Sequence, residues 1–188
     1  MEYGTPDKHM NMNSFAQRLS GHIDTTQDFI LIGVSLGGMI CVELNEILNP
    51  KKTIIISSAK NRNELPARYK FQKAIPIYRL FPGGILLAGA KMLQPIVEPD
   101  RNKCEDTFKS MLSKKNAVYM KRTVNLIINW DREINTKPIY HIHGTNDHTL
   151  PIKKIKLLSY TLDKGSHMMT LTRAKEINNI LNAILNDK

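Results

Sequence analysis

Apolar runs and amphipathic stretches follow one another along the chain and predict alternating strands and helices. Phe29–Ile32 is apolar without alternation, which is typical of a strand buried on both faces of a parallel sheet. Met39–Leu48, directly behind it, carries apolar residues at helical spacing. Ser14–Gln17, ahead of it, has the pattern of a capping box and predicts the start of a helix of about ten residues. The first part of the chain therefore has the order helix, strand, helix.

Three further strands and a final helix are predicted downstream. Lys52–Ser58 is rich in β-branched residues, and Pro138–His143 and Lys156–Leu162 follow as the third and fourth strands. From about Leu171 to Asn186, apolar residues recur at helical spacing and form a single face that can dock on a sheet. The whole pattern indicates an α/β protein with a parallel sheet.

The middle of the chain has a different character. From Lys60 to about Asp131 no comparable strand pattern occurs, and prolines and glycines separate helix-like pieces. These pieces are Arg68–Leu80, which Pro76 interrupts, Ile85–Leu93, Cys104–Ser113 and Ala117–Trp130. We therefore expect a body formed by residues 1–59 and 132–188, with a helical insertion at 60–131.

A serine flanked by glycines stands at the first strand-to-helix turn, in the sequence Gly33-Val34-Ser35-Leu36-Gly37. Glycines permit a turn too tight for side chains, and such a turn holds the serine in a strained conformation with its hydroxyl above the sheet. The following helix directs its N-terminal N–H groups at the same place. This arrangement predicts a nucleophile, and the alternative is a glycine-rich turn that carries a solvated serine.

A base and an acid are available in the right places for such a serine. A serine hydroxyl needs a base to become nucleophilic, and an imidazole base needs a carboxylate to orient it. Asp147 follows the third predicted strand, and His167 follows the fourth, so both are expected at the sheet edge that carries Ser35. Asp131 and Asp163 are alternative carboxylates.

Together these features resemble the α/β-hydrolase superfamily, and in particular a group of small bacterial α/β hydrolases. The resemblance covers the chain from about Ser14 onward and is carried by the serine turn, Ile54–Ser58, His143–Asp147 and Gly165–Met169. It implies the α/β-hydrolase fold, here with an incomplete parallel sheet, flanking helices and residues 60–131 as a helical cap.

The resemblance also implies roles for the site residues. Ser35 would attack a small-molecule ester or similar acyl bond, His167 would act as base and then as acid, and Asp147 would orient His167. The N–H of Leu36 would donate to the oxyanion, and no cofactor is implied. Several apolar residues of the cap either line the substrate site or pack the cap onto the body: Phe81, Ile85, Leu86, Leu87, Met92 and Leu93.

One departure from the family concerns the oxyanion site. The family takes a second donor from a loop after an earlier strand, but only 34 residues precede Ser35 and none of them forms such a loop. We therefore expect that the chain lacks the N-terminal part of the fold, as a truncated or degenerate gene product. An apolar strand would then lie at a sheet edge, where it can pair with a second copy. The competing hypotheses are a non-catalytic α/β-hydrolase-like binding module and an inactive truncated form.

Composition limits the partners and the compartment. The net charge is +10, but the lysines are scattered, no nucleic-acid motif occurs and aromatic residues make up only 6%, so a nucleic-acid partner is not expected. Two distant cysteines, Cys41 and Cys104, and no signal-like segment favour the cytoplasm. The stretch Leu80–Ala90 is too short to span a bilayer.

The histidines around the third strand suggest a metal site at first sight. His141, His143 and His148 lie close to Asp147 in sequence. The aspartate comes two residues too late for the H-x-H-x-D-H pattern, and His148 lies beyond the turn, so convergence on one ion is not expected. We therefore predict no metal and interpret His141 and His143 as packed or hydrogen-bonded strand residues.

Overall fold

The computed structural model describes residues 4–76, 84–85, 88, 92, 98–107, 110 and 116–187. In chain order its helices and strands are α1 (Met12–Ser20), β1 (Ile30–Val34), α2 (Leu36–Ile47), β2 (Lys52–Ile56), α3 (Ala67–Ala74), α4 (Ala117–Asn129), β3 (Tyr140–Gly144), β4 (Tyr160–Leu162), α5 (Met169–Thr172) and α6 (Ala174–Asn186). Short 3-10 turns occur at Arg62–Glu64, Arg101–Cys104 and Ile152–Lys154.

The four strands form one parallel sheet in the order β1-β2-β3-β4. The register places Ile32 beside Ile54, and Ile54 beside Tyr140. Because the strands are parallel, all four carboxyl ends lie at the same edge of the sheet, which is where ligand sites of open α/β sheets form. The predicted α/β class with a parallel sheet is therefore confirmed.

Helices cover the sheet on both faces and enclose two cores. One core joins α1, α2 and the end of α4, and its largest buried side chains are Phe15, Met39 and Trp130. The other core lies under α5 and α6 and includes Ile142 and Ile184. Because the end of α4 packs into the first core, that part of the predicted cap contacts the body directly, while the division at 60–131 stays a prediction.

The first helix begins earlier than the sequence predicted. Asn11, not Ser14, is the N-cap: its side chain accepts from the Ser14 N–H at 2.8 Å, and the Ser14 hydroxyl oxygen accepts from the Asn11 N–H at 3.0 Å. Ser14 is the third helical residue of this reciprocal pair, so the predicted Ser14–Gln17 box is wrong. Asn and Ser both cap helices well, and the cap at Asn11 brings Met12 into the helix, where it is buried in the core.

Strand β1 is not buried on both faces, contrary to the prediction. Ile30, Ile32 and Val34 are 37%, 47% and 37% exposed, because β1 is the edge strand and its side chains on that face lie beyond the core under α5 and α6. The carbonyl of Phe29 accepts from the N–H of Lys51, just before β2, and the N–H of Ser35 donates to the Ile56 carbonyl in β2. The even-numbered residues between them therefore direct their N–H and C=O groups away from the sheet. Pairing of this edge with a second copy stays a prediction.

The last third of the chain also differs from the prediction in detail. The fourth strand is shorter than Lys156–Leu162, and the final helix is divided between α5 and α6 at Arg173, whose φ of −134° is not helical. Leu185, which was expected on the single apolar face of the final helix, is 41% exposed and does not belong to the buried face. Within the described part of the chain no helix is long and apolar enough to cross a membrane.

A buried carboxylate connects α2 to the segment after α4. Glu43 is 2% exposed and accepts from Trp130 Nε1 at 2.8 Å, from Asn13 Nδ2 at 3.1 Å, and from Arg132 Nε and Nη2 at 2.6 and 2.8 Å. Burial alone would raise the pKa of Glu43, but the hydrogen bonds from Arg132, Trp130 and Asn13 hold it below its ordinary value.

Removing the cation from this pair should destabilise the fold. Arg132→Met leaves the Glu43 charge buried without its ion-pair partner, and we expect the free energy of unfolding to fall by about 3–5 kcal/mol at neutral pH. The folded-state pKa of Glu43 is lowered, so its contribution is present above the unfolded pKa and is lost as the pH falls through the folded pKa. Urea unfolding should therefore show a gap between wild type and variant that narrows on acidification.

The matched control is Arg173→Met. Arg173 pairs with Glu176 at 2.6 Å, but the two side chains are 29% and 42% exposed, so the expected loss is at most about 1 kcal/mol. Equal losses in the two arginine variants would contradict a special role for the buried pair.

Candidate active site

Ser35 occupies the strained turn that the sequence predicted. Its φ of 53° and ψ of −121° place it in a conformation that residues with side chains rarely adopt. A Cβ on Gly33 would lie 2.6 Å from the Gly38 nitrogen, so only glycine fits ahead of the serine. The glycine requirement at Gly33 is therefore confirmed, and the serine side chain is left partly exposed.

The end of β2 secures this turn. The Ser35 carbonyl accepts from the N–H groups of Gly38 and Met39 at 2.9 and 3.2 Å and from the Ser58 hydroxyl at 2.7 Å. Ser58 is buried, and its side chain lies against Gly38. Sequence reasoning missed Ser58, although its position just after a buried parallel strand was a signal that it lies at the same edge as Ser35.

The three predicted side chains form a hydrogen-bonded line. His167 Nε2 lies 2.9 Å from Ser35 Oγ, and His167 Nδ1 lies 2.8 Å from Asp147 Oδ2. The carboxylate can only accept, so we assign the proton to Nδ1, which leaves Nε2 free to accept from the serine hydroxyl. This is the geometry that a serine nucleophile and its base require.

Asp147 is held rigidly. It is 2% exposed, and its Oδ1 accepts from the backbone N–H groups of Thr149 and Leu150 at 2.9 and 2.8 Å. The alternative carboxylates lie elsewhere: Asp131 is exposed, and Asp163 accepts from the Thr145 hydroxyl at 3.2 Å. The structure therefore brings Asp147 to His167, as the chain order suggested.

The loops that carry Asp147 and His167 meet at two glycines. A Cβ on Gly144 would lie 2.9 Å from the Cα of Gly165, and closer still to the carbonyl group of Gly165. Asn146 donates its N–H to the Gly165 carbonyl at 2.9 Å. This close approach sets the distance between the loop that carries Asp147 and the loop that carries His167.

A buried residue of the insertion supports the histidine loop. Glu98 is 2% exposed, and its Oε2 accepts from the Met168 N–H at 2.9 Å, directly after His167. Sequence reasoning missed Glu98, and no local pattern pointed to it, because nothing in its own segment indicates which loop it contacts.

The predicted oxyanion donor lies at the start of α2. Leu36 is the first residue of that helix, and the first N–H groups of a helix have no acceptor within it. The role of its N–H stays a prediction. Of the cap residues predicted to line a substrate site, Ile85 and Met92 are 54% and 78% exposed. The other four, Phe81, Leu86, Leu87 and Leu93, lie outside the described residues.

The histidines near β3 do not converge. His141 and His143 are fully buried, whereas His148 is exposed with Nε2 3.0 Å from Asn146 Oδ1. Among the residues that the structure describes, no three His, Cys, Asp or Glu side chains are arranged to hold a metal ion. Cys41 and Cys104 are free thiols, and burial raises the pKa of Cys41 to about 12, so its thiol stays protonated.

Comparison with solved structures identifies the fold. A thermophilic esterase from Thermogutta terrifontis is 12% identical, with a TM-score of 0.66 over 98% of this chain and 74% of the esterase. A meta-cleavage product hydrolase from Pseudomonas fluorescens IP01 is 13% identical, with a TM-score of 0.64 over 96% of this chain and 74% of that chain. An α/β hydrolase, MGS-M2, from a Medee basin deep-sea metagenome library is 12% identical, with a TM-score of 0.65 over 94% and 71% of the two chains.

No protein-family model matches this chain, and no curated protein sequence matches it. The identities to the solved structures are low, so the similarity lies in the fold. The chain has the α/β-hydrolase fold.

The glycine contact between the two loops can be tested. Gly144→Ala forces the Gly165 backbone away and should lower the free energy of unfolding by about 1–3 kcal/mol, measured by urea denaturation. Gly21→Ala is the matched control: its new Cβ would lie 3.7 Å from the Arg18 carbonyl at a helical φ of −65°, and the change should stay below about 1 kcal/mol. A Gly144→Ala protein as stable as wild type would contradict the close contact.

Proposed function

We propose that the chain is a serine hydrolase that cleaves an ester or similar acyl bond of a small molecule. The observation that carries the proposal is the line of hydrogen bonds from Ser35 through His167 to Asp147, at 2.9 and 2.8 Å, on a strained serine. The solved structures named above include an esterase and hydrolases, which supports the same reaction class.

The proposed reaction follows the usual two steps. Ser35 Oγ attacks the acyl carbon while its proton passes to His167 Nε2, and the Leu36 N–H donates to the oxyanion. His167 then gives that proton to the leaving group, and the acyl-enzyme remains on Ser35. In the second step His167 takes a proton from water, the hydroxide attacks the acyl carbon, and the proton returns to Ser35. Asp147 keeps the imidazole in the Nδ1–H form throughout.

The proposal predicts a burst with an activated ester. Purified protein mixed with a p-nitrophenyl ester of a short acyl chain should release a burst of p-nitrophenol as Ser35 is acylated. Ser35→Ala should remove the burst and lower kcat/KM on the order of 10⁴-fold, because no other group can form the acyl-enzyme. Ser20→Ala is the control, since the Ser20 hydroxyl donates only to the Gln17 carbonyl in the remote helix α1.

A covalent probe tests the reactivity of Ser35 without a matching ester substrate. A fluorophosphonate should label Ser35 in the wild type and leave the Ser35→Ala protein unlabelled, as read by mass spectrometry of the peptide. Neither a burst nor labelling, across a series of acyl lengths, would overturn the proposal. In that case the competing interpretation is a non-catalytic binding module with the same fold.

A further inference from the structure

A second, buried histidine lies close to the carboxylate of Asp147. His143 on β3 is 0% exposed, and its Nε2 lies 2.8 Å from the Leu150 carbonyl oxygen and 3.4 Å from Asp147 Oδ2. On its other side, Nδ1 lies 3.3 Å from Nε2 of His141, which is also 0% exposed. The series of neighbouring polar side chains that begins with Ser35 and His167 therefore continues past Asp147 to the buried His143 and His141.

The hydrogen-bond partners of His143 determine which of its ring nitrogens carries the proton. A backbone carbonyl can only accept, so Nε2 of His143 must carry hydrogen and Nδ1 must accept from His141 Nε2–H. The Nε2–H of His143 therefore donates to the Leu150 carbonyl, and the Asp147 carboxylate lies beside it, with Oδ2 3.4 Å from Nε2.

The surroundings keep this histidine neutral. Burial lowers the pKa of His143, and the nearby Asp147 charge opposes that shift only in part. Burial also lowers the pKa of His141 to about 2, with further lowering from His143 and Lys60. A neutral N–H donor can therefore hold the carboxylate without forming a second ion pair that would compete with His167.

We infer that His143 is a positioning residue: its Nε2–H holds the carbonyl of Leu150, and the same edge of the ring lies against Asp147 Oδ2 and keeps that oxygen in the orientation that accepts from His167. Oδ1 is already fixed by the N–H groups of Thr149 and Leu150. Oδ2 accepts the hydrogen bond from His167, and His143 Nε2 lies 3.4 Å from the same oxygen. The inference rests on the proposed function for its effect on catalysis, but not for its effect on the Asp147–His167 hydrogen bond.

Two amides of different reach provide the test. His143→Gln can place an amide N–H near the position of Nε2, whereas His143→Asn is one methylene shorter and cannot reach Asp147. We expect His143→Asn to lower kcat about tenfold with KM unchanged, because the bond to the Leu150 carbonyl and the contact with the Asp147 carboxylate are lost away from the substrate. His143→Gln should restore most of that loss, and His143→Leu is a second variant without the donor in case His143→Asn does not fold.

A spectroscopic readout separates this inference from the proposed function. The low-field proton resonance of His167 Nδ1–H reports on its bond to Asp147 in the folded protein, whether or not any ester is cleaved. It should move in His143→Asn and return toward the wild-type position in His143→Gln. The control Ile142→Val changes a side chain on the other face of β3, in the core under α5 and α6, and should leave the resonance in place.

The outcomes then have distinct meanings. A wild-type protein that releases no p-nitrophenol and takes no label, but whose resonance responds to His143, contradicts the proposed function alone. A resonance at one position in wild type, His143→Asn, His143→Leu and His143→Gln overturns the positioning role, even in an active enzyme.

Discussion

The arrangement of the site depends on one buried carboxylate. Asp147 is almost fully removed from solvent, and a carboxylate in that position is costly unless N–H groups surround it. The chain supplies two backbone donors from the loop of Asp147 and the imidazole of His167, and the neutral His143 lies 3.4 Å from Oδ2. Each donor fixes one direction of the carboxylate, so the orientation of His167 toward Ser35 follows from how the Asp147 charge is satisfied.

The sheet geometry explains why these groups meet. Four parallel strands end at one edge, and the turns after β1, β3 and β4 deliver the serine, the aspartate and the histidine. Gly33 permits the strained turn at the serine, and Gly144 and Gly165 permit the two other loops to touch. Glycine is therefore required where backbones approach each other, and Ser35, Asp147 and His167 stand close in sequence to those contacts.

The sequence predicted those features of the fold and the site that depend on residues close together in the chain. Strand and helix periodicity, the glycine-flanked serine and the chain order of Ser35, Asp147 and His167 can all be read from neighbouring residues. The apolar run of β1 did not by itself predict its exposed face, because burial of an apolar strand depends on which strands and helices lie beside it; the expectation of an apolar strand at a sheet edge came from the resemblance. Ser58 and Glu98 were missed for the same reason: each acts on a segment distant in sequence, and only the tertiary fold pairs them with the serine turn and the histidine loop.

Two buried glutamates show how the insertion is connected to the site. Glu43 belongs to the helix that follows Ser35 and bonds to Trp130, within the predicted insertion at 60–131, and to Arg132, just after it. Glu98 lies within the insertion and bonds to the residue after His167. A buried carboxylate constrains both of its partners, because breaking either contact leaves charge or N–H groups unsatisfied. The segments that carry Trp130 and Glu98 are therefore connected to α2 and to the loop after β4 through these two carboxylates.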